Sequence, residues 1–443
     1  MTVVTAERIT TADQAVRIAT ELAEVFAAGA VERDHSRRLP HEELDQLSAS
    51  GLLAITVPAE FGGADLPPSV VAEVVRILAA ADPNIAQVPH SHFVYLNLLR
   101  LAGSRAQRHD YFGKVLAGAR IANAQSERGG ATVADISTVL RPDHDRTVAG
   151  VESSQDDVTG GAASARIEAR RFVVEGTKYY CTGSLFADVL AVLTRLDDPQ
   201  GVSGLAPGEY VVFVPALEPG VRIVDDWDAL GQRTTGSGTV EFAAVKVGPE
   251  QLVSRASAVN APTGYGAFAQ LLHAAIDAGI ARGALAAAAE FVRTRSRPWF
   301  EAEVAHAVDD PLVVQRFGEL GVAVAAAEST LIVAGAAVDA AVRPTAVADR
   351  AVARDGHSDA PGDGAQASIA VATAKILADR AANEVSAAIF EVGGTRSAAA
   401  EHRLDHFWRN ARTHTLHDPV RWKYQHIGRA VLHNRPPPLH GVI

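Results

Sequence analysis

A single cysteine, Cys181, in 443 residues excludes an internal disulfide framework and fits a reducing compartment. Aromatic residues make up 6% of the chain against 48% hydrophobic residues overall. The core must therefore be filled mainly by small and aliphatic side chains, which favours close helix packing over sheet sandwiches. Neither a basic-then-apolar leader nor an uninterrupted apolar run of membrane length is present, so no membrane contact is expected. A net charge of -11 argues against nucleic acid as a partner. These absences leave an expected soluble, cytoplasmic protein, long enough for two or three packed units.

One stretch is chemically dense. From His406 to Arg429 the chain carries five Arg or Lys residues and one acid, Asp418. Such a basic island suits a phosphate or another anion. Asp418-Pro419 also carries a structural signal: Pro disfavours helical backbone in the residue before it, and Asp followed by Pro makes a good N-cap and first helical position. One helix is expected to end near His417 and another to begin at Pro419. His417 then sits at the break, where a side chain can enter a cavity, and His414 lies about one turn earlier on nearly the same side. With sixteen histidines in the chain, ordinary surface or core placement explains any one of them taken alone. A metal site is weaker still, because no third ligand and no Cys accompany the pair.

Along the chain, Thr11-Ala-Asp-Gln14 has the capping-box pattern and opens a helix through Val31. Further helices are expected over 41–48 (closed by Gly51), 69–80, 84–101 and 105–116, with Pro58, Gly62, Gly63, Pro67 and Pro68 punctuating the loops. In the fourth helix His92 and Tyr95 lie three positions apart and can face one cavity, although a His and a Tyr capping a core is the plainer account. The period then changes. Segments near 121–125, 170–182, 188–195, 209–215, 221–224 and 238–247 carry β-branched residues bounded by Gly or Pro. Helix returns from about Thr263 to Arg295 and continues to the end, which divides the chain into 1–119, 120–248 and 249–443. Small residues at Ala278-Gly279 and Gly283 permit close helix packing. Gly264-Tyr-Gly266-Ala-Phe-Ala269 matches a degenerate dinucleotide fingerprint, but no strand precedes it, so no nicotinamide site is expected. Residues 344–365, rich in Ala, Asp, Gly and Pro, are expected to form a mobile loop that could cover an entrance.

The run from His406 through His414 and His417 to Pro419 resembles the C-terminal motif of flavin-dependent monooxygenases built on the acyl-CoA dehydrogenase fold. These include the dibenzothiophene monooxygenases and the bacterial sulfur-acquisition oxidoreductases. The runs 418–429 and 266–282 are nearly verbatim in the latter group. The resemblance covers the chain from about Ala23 onward. It implies an α+β, acyl-CoA dehydrogenase-like architecture: an N-terminal α domain, a middle β-barrel-like domain and a C-terminal four-helix bundle. It also places His92 beside the flavin, with Asn123, Gln125 and Ser126 at a strand end holding the ring. Tyr180 and Thr182 lie on a strand against the isoalloxazine, Thr182 in the position of a catalytic Ser. Residues 225–238 resemble the Gly-Met-Arg-x-Thr-x-Ser-Gly turn, with Gln232 for the Met. Arg293 matches an Arg that reaches the flavin phosphate, often across a subunit contact. The segment 390–396, with Gly393, Gly394 and Arg396, resembles a Gly-Gly turn whose backbone can come close to the cofactor.

In the wider superfamily a Glu at the C-terminal break acts as base for dehydrogenation, and the corresponding position here holds His417. Between Gly264 and Ala289 the only acid is Asp277, in an Ala-rich setting, so dehydrogenation of a CoA thioester loses its base. An imidazole suits oxygen chemistry instead, because it can hold or donate a proton near neutral pH. Tyr95, His92 and Thr182 would add hydrogen bonds, and apolar walls would keep water out. The expectation is a two-component monooxygenase in which His92, Tyr95, Thr182, His414 and His417 are catalytic. It would use O2 and reduced FMN from a separate NAD(P)H-dependent flavin reductase to oxygenate an organosulfur compound, as a homotetramer. FAD is the alternative flavin. The competing functions are an FAD-dependent acyl-CoA dehydrogenase with an unusual base and a catalytically silent flavin or ligand sensor.

Overall fold

The computed structural model describes residues 6–132, 134–143, 171–342 and 363–441. The loop expected over 344–365 lies outside the described residues except for its last three, which belong to a helix. Helix α1 (Ala12–Ser36) starts where Thr11 Oγ1 accepts from the Gln14 amide at 3.2 Å. The return arm of the expected box goes one residue astray, since Gln14 Oε1 accepts from the Thr10 amide at 3.1 Å. Helices α2 (His41–Ala49) and α3 (Pro68–Ala81) follow. The helix expected over 84–101 is two helices, α4 (Pro83–Gln87) and α5 (His90–Ala102). Asp82 caps α4, and Pro89, which has no amide to donate, coincides with the break. Helix α6 (Arg105–Leu116) carries a complete capping box between Ser104 and Gln107.

Among the described residues, the middle of the chain forms one eight-stranded sheet: β1 (Ile121–Ala124), β2 (Val139–Pro142), β3 (Phe172–Lys178), β4 (Val189–Leu196), β5 (Glu209–Pro215), β6 (Val221–Val224), β7 (Thr239–Val247) and β8 (Leu252–Ser254). The order is β6-β7-β3-β2-β4-β5-β8, with β1 also paired to β4. β1 and β2 run parallel to β4, and every other pairing is antiparallel. Strands β2 and β8, only four and three residues long, were not expected from the pattern. The strand expected over 170–182 stops at Lys178. Tyr180 takes a left-handed conformation (φ 58°) that a strand cannot contain, so Tyr180 and Thr182 stand in the turn after β3.

After a single turn, α7 (Ala256–Val259), come the long helices α8 (Tyr265–Thr294), α9 (Pro311–Val342) and α10 (Asp363–Gly393), then α11 (Asp405–His414) and α12 (Arg421–His433). Two compact units result. Among the described residues, the sheet unit comprises residues 6, 91–132, 134–143, 171–227 and 236–258, and the helical unit comprises 7–90, 228–235, 259–342 and 363–441. The sheet unit's core includes Leu140, Phe172, Val192, Val212, Val240 and Phe242. In the helical unit α8 packs against α3, α9 and α10.

By length and composition alone α8 and α9 are each long and apolar enough to cross a membrane, although charged residues interrupt both. In α8 78% of that window is buried inside the protein, as in a core helix, against 33% in α9. Close approach on α8 depends on glycine: a Cβ on Gly279 would lie 2.5 Å from both the Ala79 Cβ and the Arg76 carbonyl of α3. Replacing Gly279 with Ala should therefore destabilise the helical unit by about 1–3 kcal/mol, the usual cost of overpacking, read as a lowered urea midpoint at unchanged m-value.

Candidate active site

The dense C-terminal stretch contributes to a buried polar cluster inside the helical unit. Helix α11 ends at His414, and α12 begins at Arg421 rather than Pro419, with Val420 as its N-cap. Asp418 does not cap it. Its carboxylate takes Lys423 Nζ at 3.0 Å and lies 3.3 Å from His417 Nδ1. On α8, His273 and Asp277 stand one turn apart on one face, and both are buried. Asp277 Oδ1 lies 2.5 Å from His414 Nδ1, and its Oδ2 lies 2.8 Å from Lys375 Nζ of α10. His414 Nε2 is 3.1 Å from His273 Nδ1. The His273 ring stacks between His90 and His417, with centroids 3.9 Å away on each side. His90 is fixed in turn by a 2.9 Å bond from Nε2 to the Ala269 carbonyl.

His414 and His417 thus converge on one ring, as their spacing implied, and His417 is part-exposed, with 41% of its side chain accessible. Two of the five cations of the basic island, Arg409 and Lys423, are paired with acids. Arg409 pairs with Asp34 and Asp405, Lys423 pairs with Asp418, and Arg412 reaches Asn383 Oδ1 at 3.5 Å. Arg412, Arg421 and Arg429 make no ion pair among the described residues, so three of the five cations that the sequence grouped are not neutralised by an acid. Elsewhere in this unit, Ser296 Oγ bonds the Gly393 carbonyl and Arg396 bonds the Arg295 carbonyl. These contacts tie the Gly-Gly turn to the segment after α8. Arg293, near the end of α8, is exposed and makes no ion pair among the described residues. Gly394 sits at φ 65° with open space around it.

The sheet unit holds a second constellation. The Ile121 amide donates to His92 Nδ1 at 3.1 Å. That nitrogen is therefore the acceptor, and neutral His92 carries its proton on Nε2. Tyr95 donates to Gln125 Oε1 at 3.0 Å, Asn123 Nδ2 donates to the Tyr180 carbonyl at 3.3 Å, and the Thr182 and Ser237 hydroxyls are 2.8 Å apart. Asn123 Oδ1 is buried without a hydrogen-bond partner. Tyr180 is half-exposed, its ring set edge-on to Trp227 at 5.8 Å, and Ser126 is exposed. The loop bearing Gln125 and Ser126 is anchored by a buried pair, Lys178 Nζ to Glu127 Oε1 at 2.6 Å, and by Lys178 to the Gln125 carbonyl at 3.1 Å. Burial alone would raise the Glu127 carboxyl, but hydrogen bonds from Lys178, Ser137 and Thr138 outweigh it and hold it at about 2.

Comparison with known proteins now gives this arrangement a lineage. Residues 7–119 match the acyl-CoA dehydrogenase N-terminal domain and residues 271–422 the C-terminal domain. Dibenzothiophene monooxygenase of Rhodococcus qingshengii is 33% identical over 431 residues, covering 95% of this chain and 94% of that protein. The chain belongs to the flavin-dependent monooxygenase branch of the acyl-CoA dehydrogenase family. A probable FMNH2-dependent monooxygenase, SfnC of Pseudomonas putida, is 30% identical and covers 96% of each chain. The FMN-bound structure of TdsC from Paenibacillus sp. A11-2 superposes with a TM-score of 0.84 at 30% identity, over 97% of this chain and 100% of that one. The family's fold of helical terminal domains around a middle sheet is the fold described above.

Several residues of this family member's clusters escaped the sequence. His90 and His273 were two among sixteen, with nothing local to single them out. Asp277 was noticed only as a lone acid in an Ala-rich helix, and Lys375 and Lys178 passed as ordinary polar positions. A usable signal was the His273-x-x-x-Asp277 spacing, which puts both groups on one helical face.

Burial, opposed only in part by the bond to Ala269, pushes His90 down to about 3. Burial and the neighbouring imidazoles push His273 well below its ordinary value of 6.5. Between those values the unfolded chain binds more protons than the folded one, so stability is full above about pH 6.5 and falls as the pH drops. Urea unfolding from pH 8 to 4.5 should show this decline below 6.5. A flat profile would mean that these rings are charged in the fold.

Proposed function

We propose that this protein is the oxygenase of a two-component system that uses reduced FMN and O2 to oxygenate an organosulfur compound. The observation that carries this is the imidazole cluster standing where a dehydrogenase needs a carboxylate base. His417 occupies the break, and Asp277, the acid on the first half of α8, is already engaged by Lys375 and His414. Full-length similarity to a dibenzothiophene monooxygenase and to a probable FMNH2-dependent monooxygenase supports the same conclusion, and the FMN in TdsC supports the choice of flavin.

The residues present fit FMN. The buried, unpartnered Asn123 Oδ1 suits an N–H donor such as that of a flavin's pyrimidine edge, since leaving such an acceptor unsatisfied costs about 1–3 kcal/mol. Gln125, Ser126, Thr182 and the exposed Tyr180 ring provide further polar and stacking partners on the sheet unit. Taken by itself, the helical unit offers exposed Arg293, with Arg396 and the open backbone at Gly394, as a set that suits a phosphate. Bound reduced FMN would supply two electrons and the place where O2 reacts.

The chain's own groups handle protons and exclude water. On the sheet unit His92 carries its proton on Nε2, Tyr95 spends its hydroxyl proton on Gln125 and keeps its oxygen as an acceptor, and the Thr182 hydroxyl is held by Ser237. On the helical unit the imidazoles of His414 and His417 move the proton that leaves with the second oxygen as water. The overall reaction, sulfide plus O2 plus FMNH2 giving sulfoxide, FMN and water, balances without a nicotinamide site on this chain. A separate NAD(P)H-dependent flavin reductase is the proposed source of FMNH2.

The test is turnover of an aromatic sulfide such as dibenzothiophene with enzymatically reduced FMN under air. Oxygen-dependent sulfoxide is the expected product, and His417→Asn should lower its yield per FMNH2 by about 10²-fold or more. Dye-linked dehydrogenation of an acyl-CoA panel at ordinary rates would overturn the proposal. Leu312, Val314, Val322, Ile332 and Val333 leave an apolar face of α9 exposed. We assign it to contacts between copies in a homotetramer, and light scattering should give four times the chain mass.

A further inference from the structure

We propose that Asp277 and Lys375 are positioning residues for a proton relay running through His414 and His273, and that the balance of charge between them sets when the relay holds its proton. The use of that proton rests on the oxygenase reading above, whereas the relay itself does not.

The polarity of the chain is set by what each atom can do. A carboxylate only accepts, so His414 Nδ1 carries a proton toward Asp277 Oδ1, 2.5 Å away. In neutral His414 the other nitrogen, Nε2, then accepts from His273 Nδ1–H at 3.1 Å. His273 Nε2 is left as the acceptor at the end of the chain. A proton taken there lets the Nδ1 proton of His273 pass to His414 Nε2. His414 then carries a proton on each nitrogen, as a cation against Asp277. The reverse movement returns the proton from His414 Nε2 to His273 Nδ1 and releases the one on His273 Nε2, so one proton and no electrons move in each direction. Burial, and next the surrounding imidazoles, keep His273 from holding the charge itself.

Lys375 makes the arrangement adjustable. It is 1% exposed, 2.8 Å from Asp277 and 4.0 Å from Asp379, on the far side of the carboxylate from His414. Its charge stabilises the Asp277 carboxylate and at the same time opposes a second cation on His414. The same construction recurs at the break, where Lys423 holds Asp418 beside His417. The charged and titratable groups around His414 are therefore His273 and Asp277 on α8, Lys375 and Asp379 on α10, and Arg412 on its own helix. His417 and Asp418 from the break, Lys423 on α12 and His90 at the start of α5 complete the set. Burial raises Asp379 to about 6 despite Lys375, so it too changes charge near neutrality.

Charge variants decide between a relay and a merely structural pair. Asp277→Asn leaves Lys375 unopposed and should move the pH midpoint for product yield per FMNH2 to lower pH by about one unit or more. Lys375→Met leaves Asp277 unopposed and should move it to higher pH by a similar amount, as a charge within 4–6 Å does. A structural role predicts loss of stability in both without opposite shifts, so shifts in the same direction, or none, overturn the proposal. If either single variant fails to fold, D277L/K375M removes both charges and the oxygen that accepts from His414, and leaves no lone ion buried. 15N NMR of histidine-labelled full-length protein should then show His414 losing its fixed Nδ1–H form relative to the parent, and retention of that form overturns the proposal. Should the parent oxygenate nothing, the functional reading fails, while the 15N spectra still decide the relay.

Discussion

The helical unit is organised around an ion pair that has no water to fall back on. Burying Lys375 and Asp277 removes two charges from solvent, a cost of several kcal/mol for each ion that is recovered only if geometry is good and the remaining polar positions are filled. Here they are filled. Asp277 spends one oxygen on Lys375 and the other on His414, and Lys375 has Asp379 at its edge. That requirement fixes which faces of α8, α10 and α11 meet. The small residues of α8 make the meeting possible, because a polar cluster this tight needs helices close enough for short side chains to touch. The alanine and glycine content that looks bland in the sequence is thus the condition for the chemistry at its centre.

The same device recurs. Lys178 with Glu127 anchors the loop after β1, Lys375 with Asp277 anchors His414, and Lys423 with Asp418 anchors the turn bearing His417. In each case a lysine whose side chain is at most 3% exposed holds a carboxylate next to a segment that the sequence marks as functional. Breaking such a pair strands a charge, so these segments resist local rearrangement even where, as at residues 415–420, the backbone is irregular. A rigid frame of this kind suits groups that must keep hydrogen-bond directions through a cycle of proton movements.

Much of the frame was legible. Caps and prolines located the helices to within a few residues, and β-branched runs located six of the eight strands. The failures have physical causes. The helix expected over 84–101 ignored Pro89. The strand expected over 170–182 overran because nothing in Tyr180 announces a left-handed backbone. Strand β8, at three residues, is too short to show a period, and β2, Val139-Leu-Arg-Pro142, does not alternate. At the site, local motifs singled out His414, His417, His92 and Tyr95; His417 bonds its neighbour Asp418, but the partners that orient the other three come from 29 to 141 residues away. No window along the chain brings Lys375 to Asp277. The basic island illustrates the converse limit, since two of its five adjacent charges, Arg409 and Lys423, are neutralised by acids from α1, α11 and the break.

The replacement of a carboxylate by His417 follows from the same electrostatics. Around the break the buried charges balance, Lys375 and Lys423 against Asp277 and Asp418, with Asp379 close to half ionised near pH 6. Bonds from His417 and the charges of Lys423 and Lys375 outweigh burial and hold the Asp418 carboxyl well below the usual range. It therefore stays negative at any working pH. A glutamate at 417 would add another anion directly beside it, and one of the two would have to take up a proton or turn outward. A neutral imidazole adds no charge. It can accept or release a proton while its neighbours keep theirs, so the position is better suited to passing protons than to abstracting one from carbon.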